Sequence, residues 1–137
     1  MNGDDAAGVE VARRLLVRLP AGCGWYVLDG GTAPENFTGP LRRFRPQVVL
    51  LVDAMQMDEP PGFIAWLHWQ QAQGFSASTH TMPPTLLAKY LIAELDCQVG
   101  LVGIQAADLE EHGLTAQVEI AVDEVVLELT ALAQTNC

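Results

Sequence analysis

Residues 47–53 read QVVLLVD, apolar and rich in β-branched side chains at every position between two polar ends. A strand with one wet face would alternate polar and apolar residues. This one has no polar face, so it must be covered on both sides, as strands are inside a sheet flanked by helices. QVGLVGIQ at positions 98–105 has the same character and reads as a second buried strand.

The segments around these two runs alternate in type. Asp4 or Asp5 can cap a helix through about Leu19, with Val9, Ala12, Leu16 and Leu19 on one face, and Pro20 with Gly22 stops it. WYVLD at 25–29 reads as a buried strand running into Gly30 and Gly31. A weaker helical pattern covers 34–44, interrupted by Gly39-Pro40. Residues 63–67 suit an edge strand, and the stretch to Gly74 a short helix. Pro83 and Pro84 suit the start of a helix carrying Leu86, Leu87, Tyr90, Leu91 and Leu95, and 115–134 reads as a long amphipathic helix. Helix and strand in turn, with apolar strands, predict a three-layer α/β/α sandwich around a mostly parallel twisted sheet. At 137 residues, half of them hydrophobic, the chain has enough material for one core, so 1–137 is expected to form a single domain.

Charge narrows the partners. Seventeen acidic against seven basic residues give a formal net charge of −10, which repels nucleic-acid backbones and anionic membranes. A cation, a metal or another protein fits better. Cys23, Cys97 and Cys137 are an odd, widely spaced set with no CxxC pair, so neither a disulfide framework nor a zinc ribbon is indicated. Cys23 and Cys97 are expected to be small buried thiols. No apolar run approaches the roughly 20 residues of a spanning helix, and MNGDDAAGVEV lacks the basic-then-apolar design of a signal peptide. The expected location is the cytoplasm.

In sheets of this kind, sites lie beyond the carboxyl ends of the strands. Asp29 with Gly30-Gly31, Asp53 and the loop containing Gln105 fall at that edge, and Asp5 can reach it. The stretch SASTHTMPP, residues 76–84, adds His80. Two carboxylates and an imidazole from three loops can bind zinc, nickel or cobalt while leaving coordination positions open. Each residue also has a plainer reading: Asp4 and Asp5 as a helix cap and dipole partner, Asp53 as a solvated turn residue, and His80, like His68 and His112, as a surface side chain. A phosphoacceptor signalling domain also joins an early acidic pair to an acid at a strand end. It needs a lysine at the end of a late strand, whereas the one lysine is Lys89, inside a helical pattern, and the late strand ends in Gln105. No Ser-His-Asp or Cys-His set is supported.

The motifs GDDAAG (3–8), DGGTAPEN (29–36), LVDA (51–54), THTMP (79–83) and GIQ (103–105) occur in an order that resembles the hydrogenase maturation endopeptidases. The likeness is greatest to the branch that processes the large subunit of the formate-hydrogenlyase type (hydrogenase 3) NiFe hydrogenase. The resemblance implies an endopeptidase that removes the C-terminal extension of the large-subunit precursor once nickel is in place. It also implies Asp5, Asp53 and His80 as catalytic residues and nickel contacts, the nickel being presented by the substrate. Asp29 would matter for cleavage or substrate positioning. Water activation by the metal as Lewis acid or by a carboxylate as general base both remain open. The expected partner is the hydrogenase large-subunit precursor, met transiently by a monomer. A non-catalytic nickel-dependent binding or chaperone module for the same subunit would use the same triad. Relatives carry an N-terminal strand ending in a Gly-Asn turn before GDD. Here Gly3 is preceded by two residues, so that strand is expected to be absent from this chain.

Overall fold

The computed structural model describes residues 3–29, 35–77, 83–107 and 113–135, apart from the side chains of residues 5, 35, 36 and 77. A 3₁₀ turn, Gly3–Ala6, leads into α1, Ala7–Arg18. Helix α2 is Glu35–Phe44 and strand β1 is Val48–Gln56. Strand β2, Ile64–His68, runs into a second 3₁₀ turn, Trp69–Ala72, and the short strand β3, Ser76–Ala77. Helix α3, Pro84–Leu95, precedes β4, Gln98–Gln105, and α4 is Ala116–Gln134.

The sheet has the order β2-β4-β1-β3. Its centre is the parallel pair β1–β4, in register from Val48↔Gln98 to Met55↔Gln105. Both flanking strands are antiparallel: β2 along β4 from Ile64↔Ile104 to His68↔Gly100, and β3 against Met55 and Gln56. The sheet is therefore mixed, and helices cover both faces. On one face Ala7, Val11 and Leu15 of α1 and Val118, Val122, Val125 and Leu129 of α4 pack with Ala54, Val102 and Ile104 of the central strands. On the other, Phe37 and Leu41 of α2 and Ala88 and Leu91 of α3 pack with Val99, Val49 and Leu51. This is the expected α/β sandwich. Burying a Val or Leu side chain is worth about 1.5–3 kcal/mol, and β1 and β4 place such residues on both faces, so neither helical layer is dispensable.

Three sequence expectations need correction. Residues 25–29 form no regular element and belong to no ladder among the described residues. Val27 packs into the α1/α4 cluster and Leu28 near the α2/α3 cluster, so the segment lies between the layers as a strand would. Its apolar pattern reports that covering; pairing depends on a neighbouring strand that the pattern cannot specify. Second, β1 does not stop at Asp53 but runs three residues further, because Ala54 and Met55 stay paired with β4 and β3 adds a partner at Met55 and Gln56. Third, α1 buries Ala7, Val11, Ala12 and Leu15, while Leu16 is 61% exposed. The run LLV left the face ambiguous, and Gly8 resolves it: a Cβ there would stand 2.3 Å from the Val52 carbonyl oxygen. The helix lies on β1 through its glycine, which turns the 7-11-15 stripe inward.

That contact sets two effects of Gly8→Ala against each other. Alanine gains about 1 kcal/mol of helix propensity, but the clash is with backbone, which cannot rotate away, and overpacking costs about 1–3 kcal/mol. Urea denaturation of Gly8→Ala is expected to give a lower midpoint than wild type; an equal or higher midpoint would mean that α1 lifts off β1 without cost.

Candidate active site at the carboxyl end of the central strands

Asp53 is half-buried on β1 and registers with Gly103 of β4. The turn Gly3–Ala6 contacts β1, and the ideal Cβ position at Gly8, three residues after Asp5, lies 3.5 Å from the Asp53 Cα. The chain just after Asp5 therefore lies against β1 next to Asp53. From the other direction, β3 pairs Ala77 with Met55, two residues beyond Asp53. Ala77 is three residues before His80, a span of at most about 11 Å of extended chain. His80 itself, like the Asp5 carboxylate, lies outside the described residues, as does His112. Asp29 ends this segment and is exposed. Exposed His68 is used locally: its Nδ1 accepts from the Gln70 N–H at 3.3 Å while its own N–H donates to the Gln71 side chain at 2.8 Å. Among the described residues no three His, Cys, Asp or Glu side chains cluster as a metal site.

Asp4 behaves unlike the helix cap it resembled. The residue before α1 is Ala6, with no side-chain cap bond, and Asp4 is fully buried. Its Oδ2 accepts the Ala107 N–H at 2.7 Å, and its Oδ1 accepts the Thr115 N–H at 2.8 Å. The Thr115 hydroxyl lies 3.2 and 3.0 Å from the two oxygens and shares its one proton between them. A buried carboxylate is costly without hydrogen bonds, and these supply them. No sequence signal linked Asp4 to positions more than 100 residues away; the nearest hint was the doubling of the acid itself.

The end of β4 is tied down in the same manner. Gln105 is 4% exposed. Its Oε1 accepts the N–H of Met57 at 2.7 Å and of Glu59 at 3.4 Å, and its Nε2 donates to Ala106 O at 3.0 Å and Gln56 Oε1 at 2.9 Å. One amide therefore fixes the chain leaving β1. Gly103 is needed for space: a Cβ would lie 2.8 Å from the Met55 sulfur and 3.1 Å from that of Met57. The Gly-Ile-Gln motif packs one side of the site and pins its rim.

The profile of the hydrogenase maturation protease family HycI matches residues 9–132. The chain belongs to this family. The hydrogenase maturation protease is 40% identical over 109 residues to the hydrogenase 3 maturation protease of Escherichia coli K12, covering 77% of this chain and 66% of that one. It is 26% identical over 140 residues to a putative hydrogenase maturation protease of Methanocaldococcus jannaschii, spanning 98% of this chain and 83% of the relative. Its fold superimposes on the solution structure of the endopeptidase HycI from E. coli with a TM-score of 0.78 at 32% identity, over 96% of this chain and 83% of that one. The crystal structure of HycI from Thermococcus kodakarensis shares the fold at a TM-score of 0.83 and 24% identity, over 97% and 85% of the two chains.

The two described cysteines of this protease do not form a nucleophile site. Cys23 is disulfide-bonded, contrary to the expected free thiol: which sulfurs meet is decided by tertiary proximity, which spacing does not encode. Cys97 is a free, buried thiol whose sulfur faces the Leu91 carbonyl at 3.9 Å. Burial, and then the neighbouring Asp96 charge, push its pKa up, away from the thiolate a nucleophile requires. Cys97→Ala is accordingly expected to retain proteolytic activity within about twofold; a loss of tenfold or more in a folded variant would restore the thiol as a candidate.

Proposed function

We propose that this chain is a nickel-dependent endopeptidase that removes the C-terminal extension of a NiFe hydrogenase large-subunit precursor after nickel insertion. Family membership supports the precursor as substrate. The observation that supports the site is the approach of two segments to β1: the turn bearing Asp5 contacts that strand, which carries Asp53, and β3, three residues before His80 in sequence, pairs with Met55. In this reading Asp5, Asp53 and His80 are the donors that meet the nickel held by the precursor, and Asp29 positions the segment to be cut. Nickel, as part of the substrate, supplies a Lewis-acidic centre with coordination positions still open.

The chain's own residues do the remaining work. Asp53 is half-buried, so part of the residue stays within reach of a docked substrate. Adjoining backbone is held by the β4 register and the Gln105 amide, which keeps the carboxylate oriented without reorganisation when substrate arrives. From there it can engage the metal or accept a proton from the attacking water. The net charge of −10 favours a cationic target over a phosphate-rich one. Among the described residues no helix is long and apolar enough to cross a membrane, and we place the step in the cytoplasm, carried out by a monomer.

The test is mass spectrometry of a cognate precursor incubated with the chain, with and without nickel. Loss of the C-terminal extension only in the nickel-loaded sample is the expected result. Stable capture of the precursor without cleavage would instead make the chain a binding module. Asp53→Ala should lower the rate by at least about 100-fold while leaving the melting temperature within a few degrees, as a half-buried residue outside the packed clusters permits. Normal cleavage by that variant would remove Asp53 from the site.

A further inference from the structure

We propose that Asp4 is a positioning residue for the cleavage site, fixing the backbone that carries Asp5. This rests on the proposed endopeptidase reading and assigns a division of labour within the adjacent acids. Asp4 is fully buried and both of its oxygens are occupied by donors from this chain: the Ala107 N–H, the Thr115 N–H and the Thr115 hydroxyl. An acid so placed has no access to substrate. It joins three elements instead, because Ala107 lies two residues past β4 and Thr115 immediately precedes α4.

The next residue is Asp5, whose Cα must lie about 3.8 Å from that of Asp4. On its other side the chain is held by Gly8, seated against the Val52 carbonyl. Asp5 is therefore bracketed between two fixed points, one on β1 and one on the start of α4. A shift of its backbone relative to Asp53 would break charge-assisted hydrogen bonds in a buried setting, where leaving either partner unsatisfied is costly. Thr115 shows the same commitment. It occupies the cap position of α4 yet makes no side-chain cap bond to its own helix; its hydroxyl is given to Asp4. The arrangement favours placing the turn over capping the helix.

Asp4→Asn keeps shape and one acceptor oxygen but removes the charge and turns the other end into a donor facing donors. Thr115→Val removes the hydroxyl and keeps the N–H, and Thr115→Ser restores it. Steady-state cleavage of the nickel-loaded precursor would be read as kcat and KM separately, with hydrogen exchange of residues 3–8 and thermal melting measured on the same proteins. The expected result for Asp4→Asn is a fall in kcat of about 10- to 100-fold with KM within about twofold. Exchange in 3–8 should be faster while the amides of β1 and β4 stay protected. Thr115→Val should lose kcat by a smaller factor at a melting temperature near wild type, and Thr115→Ser should recover it. Wild-type kcat or unchanged exchange in folded Asp4→Asn would overturn this inference alone. So would a loss that tracks the unfolded fraction in both Asp4→Asn and Thr115→Val. Failure of the wild-type chain to cut would overturn the endopeptidase reading, and the positioning role of Asp4 with it.

Discussion

The parallel pairing of β1 with β4 is the constraint from which the rest of this structure follows. A parallel ladder cannot be closed by a tight turn, so the chain between Gln56 and Gln98 must travel back across the sheet. It uses that return to lay β2 along β4, touch β1 again through β3, and build α3. Both central strands are apolar on both faces, which obliges two helical layers: α1 with α4 on one side, α2 with α3 on the other. The eight registered pairs also end together, at Met55 and Gln105. One shared end, with polar residues just beyond it, makes the carboxyl edge the place where chemistry can be assembled without disturbing the core.

Two polar side chains at that edge are committed to holding backbone. Gln105 uses its amide on Met57, Glu59, Ala106 and Gln56, and Asp4 uses its carboxylate on Ala107 and Thr115. Each is buried and each fixes a segment far away in sequence. Loops would otherwise carry unsatisfied amides into a half-buried rim, and such groups are expensive to leave alone. The pinned loops then present their remaining side chains in fixed positions. Hydrogen bonding of the rim is, in energetic terms, what allows a site made from several loops to be rigid.

Much of the fold was legible because apolar periodicity reports coverage by neighbours. It gave β4 with its observed bounds, α4 to within a residue, the proline-started α3, and the edge strand within one position. The same signal cannot report pairing, which is why residues 25–29 looked like a strand and β3, two residues long, was not foreseen. It is also degenerate where apolar residues run consecutively: Leu15, Leu16 and Val17 fit more than one face of α1, and the deciding contact is between Gly8 and a carbonyl on β1. The site was legible only as chemistry. The turn of Asp5 contacts the strand that carries Asp53, but grouping the two acids rested on the order of motifs resembling a known family, and no spacing rule brings residue 5 to residue 53. The partners of Asp4 escaped altogether, since they are an N–H at position 107 and a threonine at 115, residue types and separations that carry no pattern.

The adjacent acids illustrate why local rules fail in one direction at such sites. Read locally, an Asp-Asp pair ahead of a helix is a cap and a dipole partner, worth about 1 kcal/mol. Here Ala6 occupies the cap position without a side-chain bond, so that local gain is forgone, and Thr115 likewise leaves the start of α4 uncapped by its hydroxyl. Two helix starts each give up a favourable local interaction, and their side chains meet each other instead. A buried, charge-assisted contact between two helix beginnings does what two separate caps cannot: it fixes one helix start relative to the other. Capping stabilises a helix wherever it lies, whereas this contact specifies where the helices lie, and a site assembled from separate loops depends on the second property.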